Sequence, residues 1–184
     1  MQLKLFDMPD TTPKAKRSNN TCNYLTIKSL TDEHYTPEDI LSVAKDVLQV
    51  NNFDLDVASP DTNPTRANRF YTQEDNALIQ DWASSSLWCN PPFSKNLKFA
   101  QKLIKELPKI DKACWLAKTD SRPKWARLLV DNSVGLIMRK GYVTYGNADA
   151  PAPFGTCLYL FGDIDCNHVR RVCDDTEDFA AFFK

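Results

Sequence analysis

The chain has 184 residues with a net charge of −1 at pH 7, and 42% of its residues are hydrophobic. This composition fits one packed globular domain and excludes a chain that is basic along its whole length. No apolar run reaches the roughly 18 residues of a membrane span, and the apolar stretch at the start is too short for a signal peptide. None of the six cysteines forms a CxxC pair, which argues against a zinc ribbon or a redox motif. We therefore expect a cytoplasmic protein with reduced thiols.

Two segments organise the first third of the chain. Residues 1–20 lack apolar periodicity and include Lys14, Lys16 and Arg17, so we expect a mobile basic arm followed by a single domain over 21–184. The stretch TPEDILSVAKDVL then predicts a helix, with Thr36 as its N-cap and Pro37 at the first helical position.

Residues 53–118 alternate between strand and helix patterns. FDLDVAS predicts a buried strand that carries Asp54 and Asp56 to its end, and a short strand follows at 69–72. We expect a helix from about Glu74 to Trp82, a strand at SSLWC and another strand at ACWLAK. Between those two strands, KNLKFAQKLIKEL predicts an amphipathic helix whose inward face is formed by Leu97, Ala100, Leu103, Ile104 and Leu107.

The last third predicts a helix at RPKWARLLV and a strand at VGLIMR. GYVTYG and FGTCLYLFG then predict an antiparallel hairpin around the loop NADAPAP, and TEDFAAFFK predicts a short closing helix. Strands that alternate with helices indicate a three-layer α/β fold with a mostly parallel sheet. Because ligands bind at the carboxyl ends of such strands, we expect Asp56, Thr72, Asn90 and Lys118 to share one edge.

The position of the glycines excludes two common nucleotide sites. All five lie at or after residue 135, so neither GxGxxG nor a P-loop exists near the first strand. In the absence of such glycines, Ala58 and Ser59, close to Asp56, are the small residues that allow a ligand close to the backbone. The alternative for Asp54 and Asp56 is that they cap the turn at the strand end.

Asn90, Pro91, Pro92 and Phe93 follow the strand at SSLWC and have a specific chemical interpretation. An exocyclic amine becomes a better nucleophile when two oxygens accept its N–H bonds, because its lone pair is then directed outward. Asn90 supplies one oxygen and the rigid backbone carbonyl of Pro91 the other, while Phe93 stacks on a base flipped from the duplex. The alternative is a stiff turn after a buried strand.

In this motif the chain resembles the AdoMet-dependent DNA N6-adenine methyltransferases, and among them the compact phage-type Dam-like group. NPPF matches the family pattern [DNS]PP[YFW], and YTP, FDLDVAS, RFYTQEDNAL and LWCNPPFS occur in the order that the group shows. The resemblance covers roughly residues 34–162. It implies a Rossmann-like methyltransferase fold that is abbreviated between the cofactor and catalytic elements. It also implies transfer of a methyl group to adenine N6 in double-stranded DNA, in a bacterial or phage-infected cell.

The resemblance also implies a set of site residues. The target-base site is carried over to Asn90, Pro91, Pro92 and Phe93. S-adenosyl-L-methionine (AdoMet) is expected to contact Tyr35, Thr36, Pro37, Asp56, Ala58, Ser59, Thr72 and Asp75, with Glu74 beside them. The chain departs from many methyltransferases in lacking a glycine-rich turn near Asp56.

Basic residues cluster in the middle of the chain. Residues 95–127 hold ten Lys and Arg against three Asp and Glu. We expect phosphate contacts from Lys95, Lys98, Lys118, Arg122, Lys124 and Arg127. The protein is assumed to be a monomer. Any preference for a DNA sequence must come from the arm, residues 147–154 or residues 119–127.

Several alternatives remain open at this stage. The same geometry serves cytosine N4, an RNA base or a glutamine amide. The second alternative is a non-catalytic module with this fold that binds DNA, and the third is a structural phage or host-interaction protein. Cys166, His168 and Cys173 form a weak zinc pattern, and Cys89 is a weak candidate for a thiol nucleophile. No metal is expected.

Overall fold

The computed structural model describes residues 35–146 and 150–184. The predicted basic arm at 1–20 lies outside these residues. Within the described part, no helix is long and apolar enough to cross a membrane.

Seven strands and four helices build the described part of the chain. The strands are β1 (Leu55–Asp56), β2 (Arg69–Phe70), β3 (Leu87–Cys89), β4 (Lys112–Lys118), β5 (Gly135–Arg139), β6 (Thr156–Gly162) and β7 (Phe179–Phe183). The helices are α1 (Glu38–Val47), α2 (Asn96–Glu106), α3 (Lys124–Asn132) and α4 (Cys166–Thr176).

All seven strands belong to one sheet in the order β2-β1-β3-β4-β6-β5-β7. The first four strands in this order pair in parallel, whereas β6 is antiparallel to both β4 and β5, and β7 is antiparallel to β5. Five strands therefore run in one direction, which confirms the predicted α/β class with a mostly parallel sheet.

Two hydrophobic clusters lie on opposite faces of the sheet. Residues of α1 and α4 pack with Trp88 and Cys114 on one face. Residues of α2 and α3 pack with Leu87 and Trp115 on the other. Because neighbouring strand residues point to opposite faces, the buried strands β3 and β4 supply both clusters.

Three local predictions in the first half are wrong. Thr36 is not the N-cap of α1, since Pro37 holds that position and no side chain caps the helix. The helix predicted from Glu74 to Trp82 is reduced to one 3-10 turn over Ala77–Ile79, because its N-cap Asn76 is left-handed, with φ of 51°. On α2, Leu97 is exposed instead of facing the core, and Phe99 is buried in its place.

The C-terminal predictions need larger corrections. GYVTYG is not a strand, and β6 pairs instead with β5, the segment predicted at VGLIMR. The closing segment TEDFAAFFK is not a helix, because Phe179–Phe183 forms β7 along β5. The helix α4 precedes it, and Asp165 caps α4 by accepting from the backbone N–H groups of Asn167 and His168.

Candidate active site

A cavity of about 520 Å³ opens at the carboxyl ends of β1, β2 and β3. Its wall includes most of the predicted cofactor residues, namely Tyr35, Thr36, Asp56, Ala58, Ser59 and Thr72. Asn90 and Pro92 of the proline motif and Lys95 also line it. Pro37 and Asp75 are not among the lining residues. The cavity therefore brings together two groups of residues that are far apart in the sequence.

Asp56 is the buried carboxylate of the cavity. It is 2% exposed, and its two oxygens accept from Ala58 N at 3.0 Å and Thr65 Oγ1 at 2.8 Å. Burial raises the pKa of Asp56 to about 6, although both hydrogen bonds oppose the rise. A positive ligand group beside this carboxylate would favour its charged form.

Thr65 and the segment around it were missed by sequence reasoning. Residues 60–62, 64 and 65 line one side of the cavity, and Thr65 itself is buried. Asn63 shapes the segment, since its side chain donates to the carbonyl of Ala67 and accepts from the N–H of Ala67. The cluster of Pro, Asp, Thr and Asn after β1 marked only a turn, and nothing in it predicted a contact with Asp56.

Thr72 and Asp75 form a hydrogen-bonded turn after β2. Asp75 Oδ2 accepts from both the backbone N–H and the hydroxyl of Thr72 at 2.8 Å. The hydrogen bond from the backbone N–H, and to a smaller extent the one from the hydroxyl, lowers the pKa of the exposed Asp75 carboxyl. Asp75 thus fixes the position of Thr72. Thr72 lines the cavity, whereas Asp75 does not.

Asn90 follows β3 directly and is half-buried at the edge of the sheet. Its Nδ2 donates to Thr36 Oγ1 at 3.1 Å. Pro91 is buried, and the carbonyl of Pro92 accepts from Lys95 N at 2.8 Å to close the 3-10 turn that leads into α2. The motif is consequently held at both ends, by the sheet and by a helix.

Phe93 belongs to an aromatic cluster beside the cavity. Its ring meets that of Phe154 edge-on, with centroids 5.9 Å apart, and Tyr145 lies 6.3 Å from Phe154. Lys118 Nζ lies 3.6 Å from the Phe93 centroid and 4.2 Å from that of Phe154. Lys118 therefore covers one face of the Phe93 ring, and a base that stacks there must displace it.

The predicted DNA-contact residues are distributed around this edge. Lys118 and Arg122 line a second, more open hollow, together with Phe154. Arg122 forms an ion pair with Asp120 at 2.9 Å, so part of its charge is already balanced. Lys95 and Lys98 are exposed at the start of α2, and Lys124 and Arg127 are exposed on α3.

Two sequence alternatives find no support in the geometry. Burial raises the pKa of the Cys89 thiol well above its usual range, with smaller contributions from Asp56 and Cys114, so the thiol stays protonated. Among the described residues, no three His, Cys, Asp or Glu side chains are grouped as metal ligands would be. His168 instead lies 3.2 Å from Asp46 Oδ1.

Comparisons with known proteins identify relatives of the chain. A family model described as DNA N-6-adenine-methyltransferase (Dam) matches residues 23–152. The chain is 31% identical over 113 residues to the DNA N-6-adenine-methyltransferase of Haemophilus phage HP1, covering 61% of this chain and 64% of that protein. It is 26% identical over 103 residues to the protein of the same name from Escherichia phage T1, covering 55% of this chain and 42% of that protein. The chain thus spans less than two thirds of the length of either relative.

Proposed function

Because the chain belongs to the DNA N-6-adenine-methyltransferase (Dam) family, we propose that it transfers a methyl group from AdoMet to adenine N6 in double-stranded DNA. The observation that carries this proposal is the placement of Asn90 and Pro92 in one cavity with Asp56 and Thr72. A transferase needs its acceptor group and its donor side by side, and the residues that we propose for the two roles line the same cavity. The fold is that of a compact Rossmann-like methyltransferase.

The residues of the cavity fit AdoMet. A volume of about 520 Å³ lies within the range of roughly 300–1,000 Å³ for small-molecule sites. Asp56 offers a carboxylate for a cationic group of the ligand, and Thr72 offers a hydroxyl to the nucleoside part. The small side chains of Ala58 and Ser59 allow the ligand close to the backbone. When bound, AdoMet supplies a methyl group made electrophilic by its sulfonium.

The target amine is oriented by Asn90 and Pro91. Asn90 Oδ1 and the carbonyl oxygen of Pro91 accept its two N–H bonds, so the nitrogen lone pair is directed at the methyl group. The rigid Pro91-Pro92 unit fixes the direction of the carbonyl. Most of the acceleration then comes from orientation and from the two oxygens that stabilise the charge developing on the amine. The proton leaves to solvent after the transfer.

Phe93 supports the flipped base by stacking, an interaction worth roughly 1–3 kcal/mol per base. A base can stack on the face of Phe93 that Lys118 covers only after the Lys118 ammonium group moves away. A displaced Lys118 remains close to the backbone of the flipped nucleotide. We therefore assign Lys118 to the phosphate contacts, with Lys95, Lys98, Arg122, Lys124 and Arg127 around the same edge.

Methylation of unmodified duplex DNA by the purified protein tests the proposal. We expect nucleoside mass spectrometry to find N6-methyladenine with the wild type and none with Asn90→Ala. The matched control is Asn51→Ala, an exposed asparagine outside the cavity, which should keep wild-type activity. AdoMet binding and thermal unfolding of Asn90→Ala should stay near wild type, because the loss is in orientation of the amine.

Other products would correct the proposal in defined ways. N4-methylcytosine, methylated RNA or a methylated glutamine amide would identify another planar substrate. AdoMet and DNA binding without any methylated product would identify a non-catalytic binding module. Equal activity of Asn90→Ala and the wild type would refute the assigned role of the motif.

A further inference from the structure

Thr36 joins the start of α1 to the proline motif. Asn90 Nδ2 donates to Thr36 Oγ1 at 3.1 Å across 54 residues of sequence, and both residues line the cavity. We propose that Thr36 is a positioning residue, whose hydroxyl oxygen holds the amide nitrogen of Asn90 so that Oδ1 faces the amine of the substrate. This rests on the proposed function and adds to it a residue that acts through Asn90.

The two ends of the amide are chemically opposite. Oδ1 accepts hydrogen bonds, whereas Nδ2 only donates them. An exocyclic amine that attacks through its lone pair presents two N–H donors, so a rotated Asn90 amide would oppose donor to donor. With Oδ1 toward the amine, Nδ2 needs an acceptor on its other side. Thr36 Oγ1 lies at hydrogen-bond distance for this purpose.

The backbone around Thr36 limits its freedom. Pro37 restricts the residue before it to extended conformations, and the carbonyl of Pro37 accepts from Leu41 N at 3.2 Å as α1 begins. Leu41 is 2% exposed, so the start of the helix is fixed in the core. The hydroxyl of Thr36 is therefore presented from a rigid position, as the orientation of an amide requires.

Two substitutions at this position separate the hydrogen bond from the shape of the side chain. Thr36→Val keeps the branched shape and removes the acceptor, whereas Thr36→Ser keeps the acceptor. Thr144→Val, at an exposed threonine outside the cavity, is the control for replacing a threonine by valine. The measurements are the single-turnover rate of methyl transfer to duplex DNA at saturating AdoMet, the AdoMet Kd and the unfolding midpoint.

We expect Thr36→Val to lower the single-turnover rate by about tenfold to hundredfold, since the amide loses its fixed orientation. Thr36→Ser should recover most of the rate, and the AdoMet Kd should change by less than about twofold. A higher Kd with an unchanged saturated rate would overturn the proposal in favour of a direct cofactor contact. A loss of rate in Thr36→Ser with none in Thr36→Val would overturn it in favour of packing by the threonine methyl group.

A second measurement does not depend on activity. The side-chain amide signals of Asn90 in a ¹H–¹⁵N spectrum are assigned by their absence in Asn90→Ala. In Thr36→Val these hydrogens should exchange with water faster than in the wild type and in Thr36→Ser. If the wild type methylates nothing, the proposed function fails, and unchanged exchange in Thr36→Val would separately refute the positioning role.

Discussion

Replacing Asp56 by asparagine should stabilise the protein without its ligands near neutral pH. The carboxyl is buried, and its pKa rises from 3.8 to about 6. A folded-state pKa above the unfolded one means that the native protein favours the neutral acid. The free energy by which a neutral Asp56 stabilises the folded state is therefore fully present below pH 3.8. It is lost as the pH rises through about 6, because the buried carboxyl then becomes charged.

The size of the effect follows from the two pKa values. The rise from 3.8 to about 6 corresponds to about 3 kcal/mol of unfolding free energy, lost in full at pH 7.5. Asparagine has no charge to bury and fits the same partners. Its Oδ1 accepts from Ala58 N, and its Nδ2 donates to Thr65 Oγ1, whose hydrogen turns to Asn63 Oδ1, 3.2 Å away.

The test is the free energy of unfolding of wild type and variant, measured by urea denaturation at pH 4.5 and pH 7.5 with tryptophan fluorescence as the signal. We expect Asp56→Asn to exceed the wild type by about 1 kcal/mol at pH 4.5, where part of the effect is already present, and by up to about 3 kcal/mol at pH 7.5. The control is Asp54→Asn, because Asp54 is more exposed and pairs with Arg69 at 3.3 Å; it should bring no gain. A variant that is no more stable than the wild type at pH 7.5 would refute the assignment of a destabilising buried charge.

Two further predictions concern the surface and the sheet. Lys98→Ala should weaken duplex DNA binding and lower the slope of log Kd against log salt by about 0.9 in magnitude, as measured by fluorescence anisotropy. Lys105→Ala, about 10 Å further along α2 and away from the cavity edge, should leave both unchanged; equal effects of the two would argue against a local DNA surface. Gly162→Ala should cost about 1–3 kcal/mol in urea denaturation, because Gly162 has φ of +82° and an added Cβ would meet the carbonyl oxygen of Asp111. Unchanged stability would show that β6 can shift there.

The chain's local signals were sufficient for much of the central fold. Apolar periodicity located α1, α2 and α3, and the short apolar runs located β3 and β4. Since parallel strands end at one edge, the placement of Asp56, Thr72 and Asn90 around one cavity also followed from the sequence order. Their individual roles stay predictions.

The tertiary structure decided what depends on distant partners. Phe179–Phe183 forms a strand because β5 is available to pair with it, although its own sequence also allowed a helix. The hydrogen bond between Thr36 and Asn90 and the burial of Asp56 under Thr65 arise only when separate segments meet. Sequence by itself thus determined the chemical groups and the order of the central elements. The tertiary structure determined which groups touch, because burial and hydrogen bonding across the sheet are set by packing rather than by neighbours in the chain.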